Sequence, residues 1–111
     1  MMVLSKEGSK AYSVLQNLYD SVGAFIKSYL YSYYFNLGNK HLKNHEINQA
    51  IKDYNNAIKS NPYKTEAYHN RAKAYIENAD YVHALEDYAK VEELQETQKL
   101  KYKYLKPIRS F

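Results

Sequence analysis

The chain has 111 residues, the size of one domain, and its 45% hydrophobic and 25% charged residues are ordinary for a globular protein. It has no Cys, which excludes disulfide frameworks, thiolate zinc sites and cysteine nucleophiles. The net charge of +4 is concentrated at one end, since residues 98–111 hold five bases and no acid, while the other 11 bases face 12 acids. Only three Gly and two Pro occur, and so few breakers favour an all-α fold.

The N-terminal segment, residues 1–30, has the apolar pattern of an amphipathic helix. Its apolar residues recur at spacings of three and four, namely Ala11, Val14, Leu15, Leu18, Val22, Phe25, Ile26 and Tyr29. Gly23 weakens the middle of this helix by about 1 kcal/mol relative to Ala. Because such an apolar stripe needs a cover, we expect an N-terminal capping helix that packs on the structure following it.

The same segment gives no sign of export or of membrane insertion. Lys6 and Glu7 interrupt the early apolar run that a secretory signal needs. Asp20 and Lys27 interrupt the most apolar stretch, residues 14–37, whereas a bilayer requires about 20 mostly apolar residues in a row. We therefore expect a cytoplasmic protein, with an organelle as the open alternative.

Residues 31–98 contain one pattern twice, at an offset of 34 residues. Ala50 matches Ala84 and Tyr54 matches Tyr88, and each copy has the apolar spacing of two amphipathic helices. In the first copy the facing residues are Tyr34, Leu37, Gly38 and His41 on one helix, and Ala50, Tyr54 and Ala57 on the next. Gly38 permits a close approach of the helices, for which Ala50 is the expected contact.

The second copy keeps this arrangement. Its facing residues are Tyr68, Ala72, Tyr75, Ala84, Tyr88 and Val91. Glu46 and Asp80 stand just before the second helix of their copies, where a carboxylate can accept hydrogen bonds from free backbone N–H groups. In the first copy Pro62 follows the second helix and ends it.

The set formed by Tyr34, Leu37, Gly38, His41, Ala50, Tyr54, Ala57 and Pro62 resembles the tetratricopeptide repeat. The resemblance covers 68 of the 111 residues. It implies antiparallel helical hairpins over residues 31–64 and 65–98, stacked as a short right-handed superhelix with capping helices. The chain departs from the family at Arg71, where Leu is usual, and at His45 and Ala79, which replace the usual turn Gly.

Residues 99–111 are expected to form a basic C-terminal helix or tail. Two arrangements are open for the chain that leads into it. Since Glu96 replaces the usual Pro, one continuous helix can run from residue 81 to residue 106 and end at Pro107. Alternatively, the chain breaks within residues 95–98, and a short solvating helix follows.

The polar residues give no pattern typical of catalysis or of a metal centre. His41 and His45 have the i,i+4 spacing that zinc sites use, but the sequence places no third ligand beside them. Asp53, Glu86 and Asp87 are interpreted as carboxylates on helix surfaces, whereas a catalytic pair would need burial. We therefore predict a protein that is not an enzyme and that uses no cofactor and no metal.

The resemblance also implies a concave groove, lined by the first helix of each repeat. Carried over by position, its residues are Ser32, Phe35, Asn39, Leu42, Lys43, Glu66, His69, Asn70, Lys73, Ile76 and Glu77. Phe35, Leu42 and Ile76 are apolar and have no assigned neighbour within the chain, so we predict that they contact a partner. Phe35 is the predicted anchor, because aromatic residues dominate binding hot spots.

In one specialised form of this groove, Lys, Arg and Asn side chains clamp the C-terminal carboxylate of a partner. Asn39 and Asn70 match the two Asn positions, whereas Phe35 replaces the first Lys, and Leu100 and Tyr104 replace the charged pair of a third repeat. Each lost bond between charged groups removes about 1.5–3 kcal/mol, so this clamp is degenerate here.

These features predict a protein–protein interaction module, either an adaptor or a small subunit of a larger assembly. Its partner would be another protein, bound as an extended peptide or a helix, and a small-molecule substrate is not expected. One alternative is a co-chaperone-like peptide binder with the degenerate clamp. Another is a nucleic-acid or membrane-surface protein that offers an anionic partner the tail bases Lys99, Lys101, Lys103, Lys106 and Arg109. Salt dependence separates this last alternative, because phosphate contacts weaken as salt rises.

Overall fold

The computed structural model describes residues 6–105, which form four α-helices and no strand. Their bounds are α1 Lys6–Lys43, α2 Ile47–Ser60, α3 Thr65–Glu77 and α4 Tyr81–Leu105. The end of α1 pairs with α2, α3 pairs with α4, and α2 packs on α3. The predicted all-α fold of stacked helical hairpins is confirmed.

Small residues let the helices of the core approach one another closely. Ala50, Ala57, Ala67 and Ala72 are completely buried, and Tyr54 is the largest side chain that is fully buried among the described residues. A Cβ atom added at Gly38 would lie 2.6 Å from Cε1 of Tyr54. The phenol ring of Tyr54 thus occupies the space beside the glycine. The expected contact of Gly38 with Ala50 stays a prediction.

Both hairpin turns use a left-handed residue that is not glycine. His45 has φ 60° and Ala79 has φ 55°. After α3, Asp80 N donates to Tyr75 O at 2.8 Å and Ala79 N donates to Ile76 O at 2.9 Å. This pair of bonds is a Schellman motif, which recurs after α1 around His45. The hydrogen bonds fix the turn, so His45 and Ala79 adopt the conformation that glycine would adopt more easily.

The two predicted N-caps differ in outcome. Asp80 caps α4, since its Oδ1 accepts a hydrogen bond from His83 N at 3.3 Å. Glu46 makes no side-chain cap bond to α2, so that prediction was wrong. Glu has one more methylene than the Asp and Asn side chains that favour this position, and the Glu46 carboxylate instead lies 4.0 Å from Nε2 of His41.

The N-terminal segment and the first helix of repeat 1 are one uninterrupted helix. Residues 24–37 contain no Gly or Pro, so nothing turns the chain near residue 30. We use the term "arm" for residues 8–30, whose apolar side chains are exposed, for example Leu15 at 65% and Phe25 at 73%. The packing of this segment on repeat 1, expected from the sequence, is not seen, because a straight helix cannot fold back onto its own continuation.

At the other end, α4 continues through residues 95–98, so the continuous alternative is the observed one. Its last buried residue is Leu94, and residues 95–105 are exposed. The tail bases Lys106 and Arg109 lie outside the described residues. Within residues 6–105, no helix combines the length and the apolar character that crossing a membrane would require.

Candidate functional site

Two aspartates that were interpreted as surface carboxylates are buried. Asp53 is 7% exposed and Asp87 is 4% exposed, so the sequence interpretation is corrected at both positions. Asp53 Oδ2 lies 2.5 Å from Nδ1 of His41, across the first hairpin. Because Asp53 and Asp87 are 34 apart in sequence, each repeat buries one carboxylate at the same position and pairs it with a different side chain.

In repeat 2 the paired side chain is Arg71. Its Nε donates to Asp87 Oδ2 at 2.8 Å, and its Nη2 donates to Asp87 Oδ1 at 2.6 Å. A third bond joins Nη1 to Asn55 Oδ1 of α2 at 2.7 Å. The guanidinium also lies over the rings of Tyr68 and Tyr75, at 5.6 and 5.8 Å from their centroids. Arg71 thus ties α2, α3 and α4 together and is part of the core.

The first helices of the two repeats are joined by a polar bridge in the predicted groove. Asn39 Oδ1 accepts a hydrogen bond from Tyr54 Oη at 2.6 Å and another from Asn70 Nδ2 at 2.8 Å. Burial of Tyr54 raises its pKa to about 12, so the phenol keeps its proton and remains a donor. Asn39 Nδ2 and Asn70 Oδ1 have no hydrogen-bond partner within residues 6–105, which leaves one donor and one acceptor on this bridge.

The apolar residues predicted to contact a partner divide into two groups. Phe35 stacks on Tyr31 with ring centroids 5.7 Å apart and lies 6.1 Å from the ring of Tyr54. Leu42 also packs against the core cluster. The prediction that Phe35 and Leu42 have no neighbour within the chain was wrong, because Tyr31, one turn before Phe35, is a buried core residue and both side chains pack against its cluster. Ile76 is 42% exposed and remains available.

The remaining predicted groove residues are mostly exposed and carry both signs of charge. The exposed ones are Ser32, Lys43, Glu66, His69, Lys73 and Glu77. His69 makes an edge contact with Tyr88, whose ring centroid is 5.6 Å away. Glu77 lies 3.6 Å from Nδ1 of His45. Lys43 and Lys73 balance the two glutamates, so this face has no strong net charge.

His41 and His45 pair with carboxylates rather than with one another. His41 contacts Asp53, and His45 contacts Glu77, so the pair with zinc-like spacing is directed to different partners. Among the described residues, no group of three His, Cys, Asp or Glu side chains is placed to hold a metal ion.

A third pair of a histidine and a carboxylate, His83 with Asp80, was not predicted from the sequence. His83 Nδ1 lies 2.6 Å from Asp80 Oδ2. This hydrogen bond lowers the pKa of Asp80 and raises the pKa of His83, because it favours the charged form of each group. The i,i+3 spacing across the start of α4 is the signal that could have identified the pair.

Comparison with known protein families agrees with this geometry. The family model described as tetratricopeptide repeat matches residues 31–64 and again residues 65–98. These two matches cover both observed hairpins and more than half of the chain. Such repeats bind other proteins or peptides and have no catalytic role of their own. The chain therefore belongs to the tetratricopeptide-repeat family of protein–protein interaction modules.

Proposed function

We propose that this protein is an adaptor, or a small subunit of a larger assembly, that holds a segment of a partner protein on the concave face of its two repeats. The supporting observation is the bridge between Asn39 and Asn70, which joins α1 to α3 and leaves one donor and one acceptor unused. Two amide groups fixed in this way are suited to binding main chain. They can meet the C=O and N–H groups that every peptide segment offers.

The bridge also supports the proposal through its rigidity. Asn39 Oδ1 receives two donors, while its Nδ2 has no partner within residues 6–105 and can donate to a partner carbonyl. Asn70 gives its Nδ2 to the bridge, which leaves its Oδ1 to accept from a partner N–H. Because the side chains are already ordered, binding loses less side-chain entropy than it would with mobile groups.

The surroundings of the bridge favour a partner segment of mixed polarity. Ile76 offers an exposed apolar surface on α3, and the two lysines and two glutamates of this face carry balanced charge. A carboxylate clamp would instead need cationic donors, and the position of the first one is taken by Phe35, whose ring packs on Tyr31. The adaptor function is therefore preferred to the co-chaperone-like alternative.

The test combines site-directed crosslinking with matched variants. A photoreactive amino acid at Lys73 in the full chain captures the partner, which mass spectrometry identifies, and affinity is then measured with the purified partner. Asn70→Ala should weaken binding by about 1–3 kcal/mol, since it removes one contact and one of the two hydrogen bonds that orient Asn39. Lys73→Glu should also weaken binding, whereas Lys52→Glu, an equal charge change at an exposed residue of α2, should not.

The proposal fails if Asn70→Ala binds normally while circular dichroism shows the native helical content. It also fails if Lys52→Glu and Lys73→Glu weaken binding equally, because the contact would then be a general effect of charge.

A second candidate contact is suggested by the exposed end of α4. Lys99, Lys101 and Lys103 project from the part of the helix that follows the last buried residue, Leu94. Nothing within residues 6–105 neutralises these three bases by an ion pair, so they can contact an anionic partner. Such binding should decline steeply with added salt, whereas groove binding should change little.

A further inference from the structure

The arm carries an apolar stripe with the spacing of a coiled coil. Ala11, Leu15, Leu18, Val22, Phe25 and Tyr29 alternate between steps of four and three residues. This is the heptad pattern in which apolar residues at every a and d position face a second helix. Tyr12, Tyr19 and Ile26 add a third column at steps of seven, which widens the stripe.

The stripe is uncovered in the described structure. Its side chains are more than half exposed at Leu18, 58%, at Val22, 57%, and at Tyr29, 64%. The buried residues of α1, Tyr31 and Gly38, which pack against the repeats, lie on roughly the opposite side of the helix at 3.6 residues per turn. The stripe therefore faces away from the repeats, and a helix docked on it would not collide with α2.

The size of the stripe matches one side of a protein interface. Eight of its large side chains are at least half exposed: Tyr12, Leu15, Leu18, Tyr19, Val22, Phe25, Ile26 and Tyr29. At roughly 100 Å² each, they offer about 800 Å², the usual contribution of one partner to a stable interface. The largest apolar patch on a typical monomer is smaller, about 300–600 Å².

The distribution of charge selects the occupant. Between residues 8 and 30 the only charged residues are Lys10, Asp20 and Lys27, and none of them lies on the stripe. An interfacial membrane helix needs a strongly charged polar face, which three charges of mixed sign do not supply. A different helix selected by ion pairs is not favoured either. Such pairs form between the positions beside a and d, and in this segment those positions carry Tyr, Ile, Val and Ser, which are uncharged. An uncharged, continuous stripe is complementary to itself.

We infer that the arm pairs with the arm of a second copy of this chain, so that the protein is a homodimer held by a two-helix coiled coil. This inference does not rest on the proposed groove function. The arm, 23 residues long, extends about 34 Å at 1.5 Å per residue, which leaves the two pairs of repeats separate from the coiled coil.

The test is the mass of the full chain in solution, measured by light scattering after size-exclusion chromatography. Wild-type protein should have twice the chain mass of 13.1 kDa. The double variant Leu18→Glu and Phe25→Glu should be monomeric, with Kd raised at least about a hundredfold, because two apolar contacts are replaced by charge. The control, Asn17→Glu and Ala24→Glu, adds the same charges at the same spacing on the opposite face and should remain dimeric.

Cysteine crosslinking provides a second measurement, which introduces no charge into the stripe. Because the chain has no Cys, the introduced thiols are the only ones that can react. Leu18→Cys with Val22→Cys places two thiols on the stripe. In a parallel pair each thiol meets its own copy, and in an antiparallel pair centred between them the thiol at position 18 meets the thiol at position 22 of the second copy. Oxidation should give a covalent dimer, whereas Asn17→Cys with Ala24→Cys should not.

Four results would overturn the inference. The first is a wild-type monomer at every protein concentration. The second is a dimer that the Leu18→Glu and Phe25→Glu changes leave intact, which would assign dimerisation to another surface. The third is equal loss of the dimer in the control variant. The fourth is a monomer that sediments with phosphatidylcholine–phosphatidylglycerol vesicles, which would make the membrane the occupant.

Discussion

Replacing Arg71 by Leu should destabilise this protein. Arg71 is the only donor to Asp87 within residues 6–105, through bonds of 2.8 and 2.6 Å, and Asp87 is 4% exposed. A leucine leaves that carboxylate buried and unpaired. Two bonds between charged groups at about 1.5–3 kcal/mol each give a range of about 3–6 kcal/mol. Leucine recovers part of this by apolar contact, so we expect a loss of about 3–5 kcal/mol, typical of a broken buried pair.

The assay is urea unfolding followed by circular dichroism, combined with a double-mutant cycle. Arg71→Leu together with Asp87→Ala removes the unpaired charge, so the double variant should be at least about 2 kcal/mol more stable than Arg71→Leu alone. Lys90→Leu breaks the exposed ion pair with Glu93 and serves as the control, with an expected change below about 1 kcal/mol. Arg71→Lys, which retains the charge but not the two-bond geometry, gives an intermediate value if Arg71→Leu does not fold.

The reasoning would be refuted if the free energy of unfolding of Arg71→Leu were within about 1 kcal/mol of the wild-type value, since a surface substitution has an effect of that order. It would also be refuted if the double variant were no more stable than the single one. The burial of Asp87 would then not depend on the arginine.

Three further predictions concern stability. Ala79→Gly should raise the free energy of unfolding by about 1 kcal/mol, since Ala79 has φ 55° and only glycine adopts that region without strain; unchanged urea midpoints would contradict this. Tyr31→Phe should be neutral or stabilising by about 1 kcal/mol, because Tyr31 Oη is buried and lacks a partner within residues 6–105, whereas Tyr54→Phe should lose about 1 kcal/mol with its bond to Asn39. Equal effects of the two changes would count against the hydrogen-bond assignments. The Asp80–His83 bond should stabilise the fold mainly between the ordinary pKa values 3.8 and 6.5. The pKa of Asp80 is lowered, so its contribution disappears as pH falls, and the pKa of His83 is raised, so its contribution disappears as pH rises. Thermal unfolding of wild type and His83→Gln across this range should show the difference converging at both extremes, and a difference independent of pH would exclude the pair.

The sequence was informative where the repeat determines the packing. Tyr54 and Tyr88, or Ala50 and Ala84, recur at a fixed offset because each repeat must present the same shape to its neighbour. The hairpins could be predicted on that basis alone. The same offset also contained an unused signal at Asp53 and Asp87. A carboxylate that repeats among buried Ala and Tyr positions indicates a core role.

The candidate site was less predictable because it depends on contacts between distant residues. Phe35 appeared free since its neighbours, Tyr31 and Tyr54, belong to the preceding turn and to another helix. The bridge of Asn39 and Asn70 spans 31 residues and forms only after α1 and α3 pack. The contact of Phe35 with Tyr54 and the bridge of Asn39 and Asn70 have no local sequence pattern. Tyr31 and Phe35, in contrast, have the i,i+4 spacing of neighbours on one helix face, which was an available signal. The position of the arm was also not predicted, because packing it on repeat 1 required a turn near residue 30, and α1 continues through that position without one.

Because α1 is continuous, it fixes the orientation of the arm relative to the groove. Asn39 and the arm belong to one helix, so the angle between them is set by the number of residues that separate them. One inserted residue near position 30 would leave both surfaces intact but rotate one against the other by about 100°. Seven inserted residues would nearly restore the original orientation of the two surfaces and would move them about 10 Å apart along the helix axis. The number of residues between the arm and Asn39 therefore determines how a molecule bound to the arm is oriented relative to the groove.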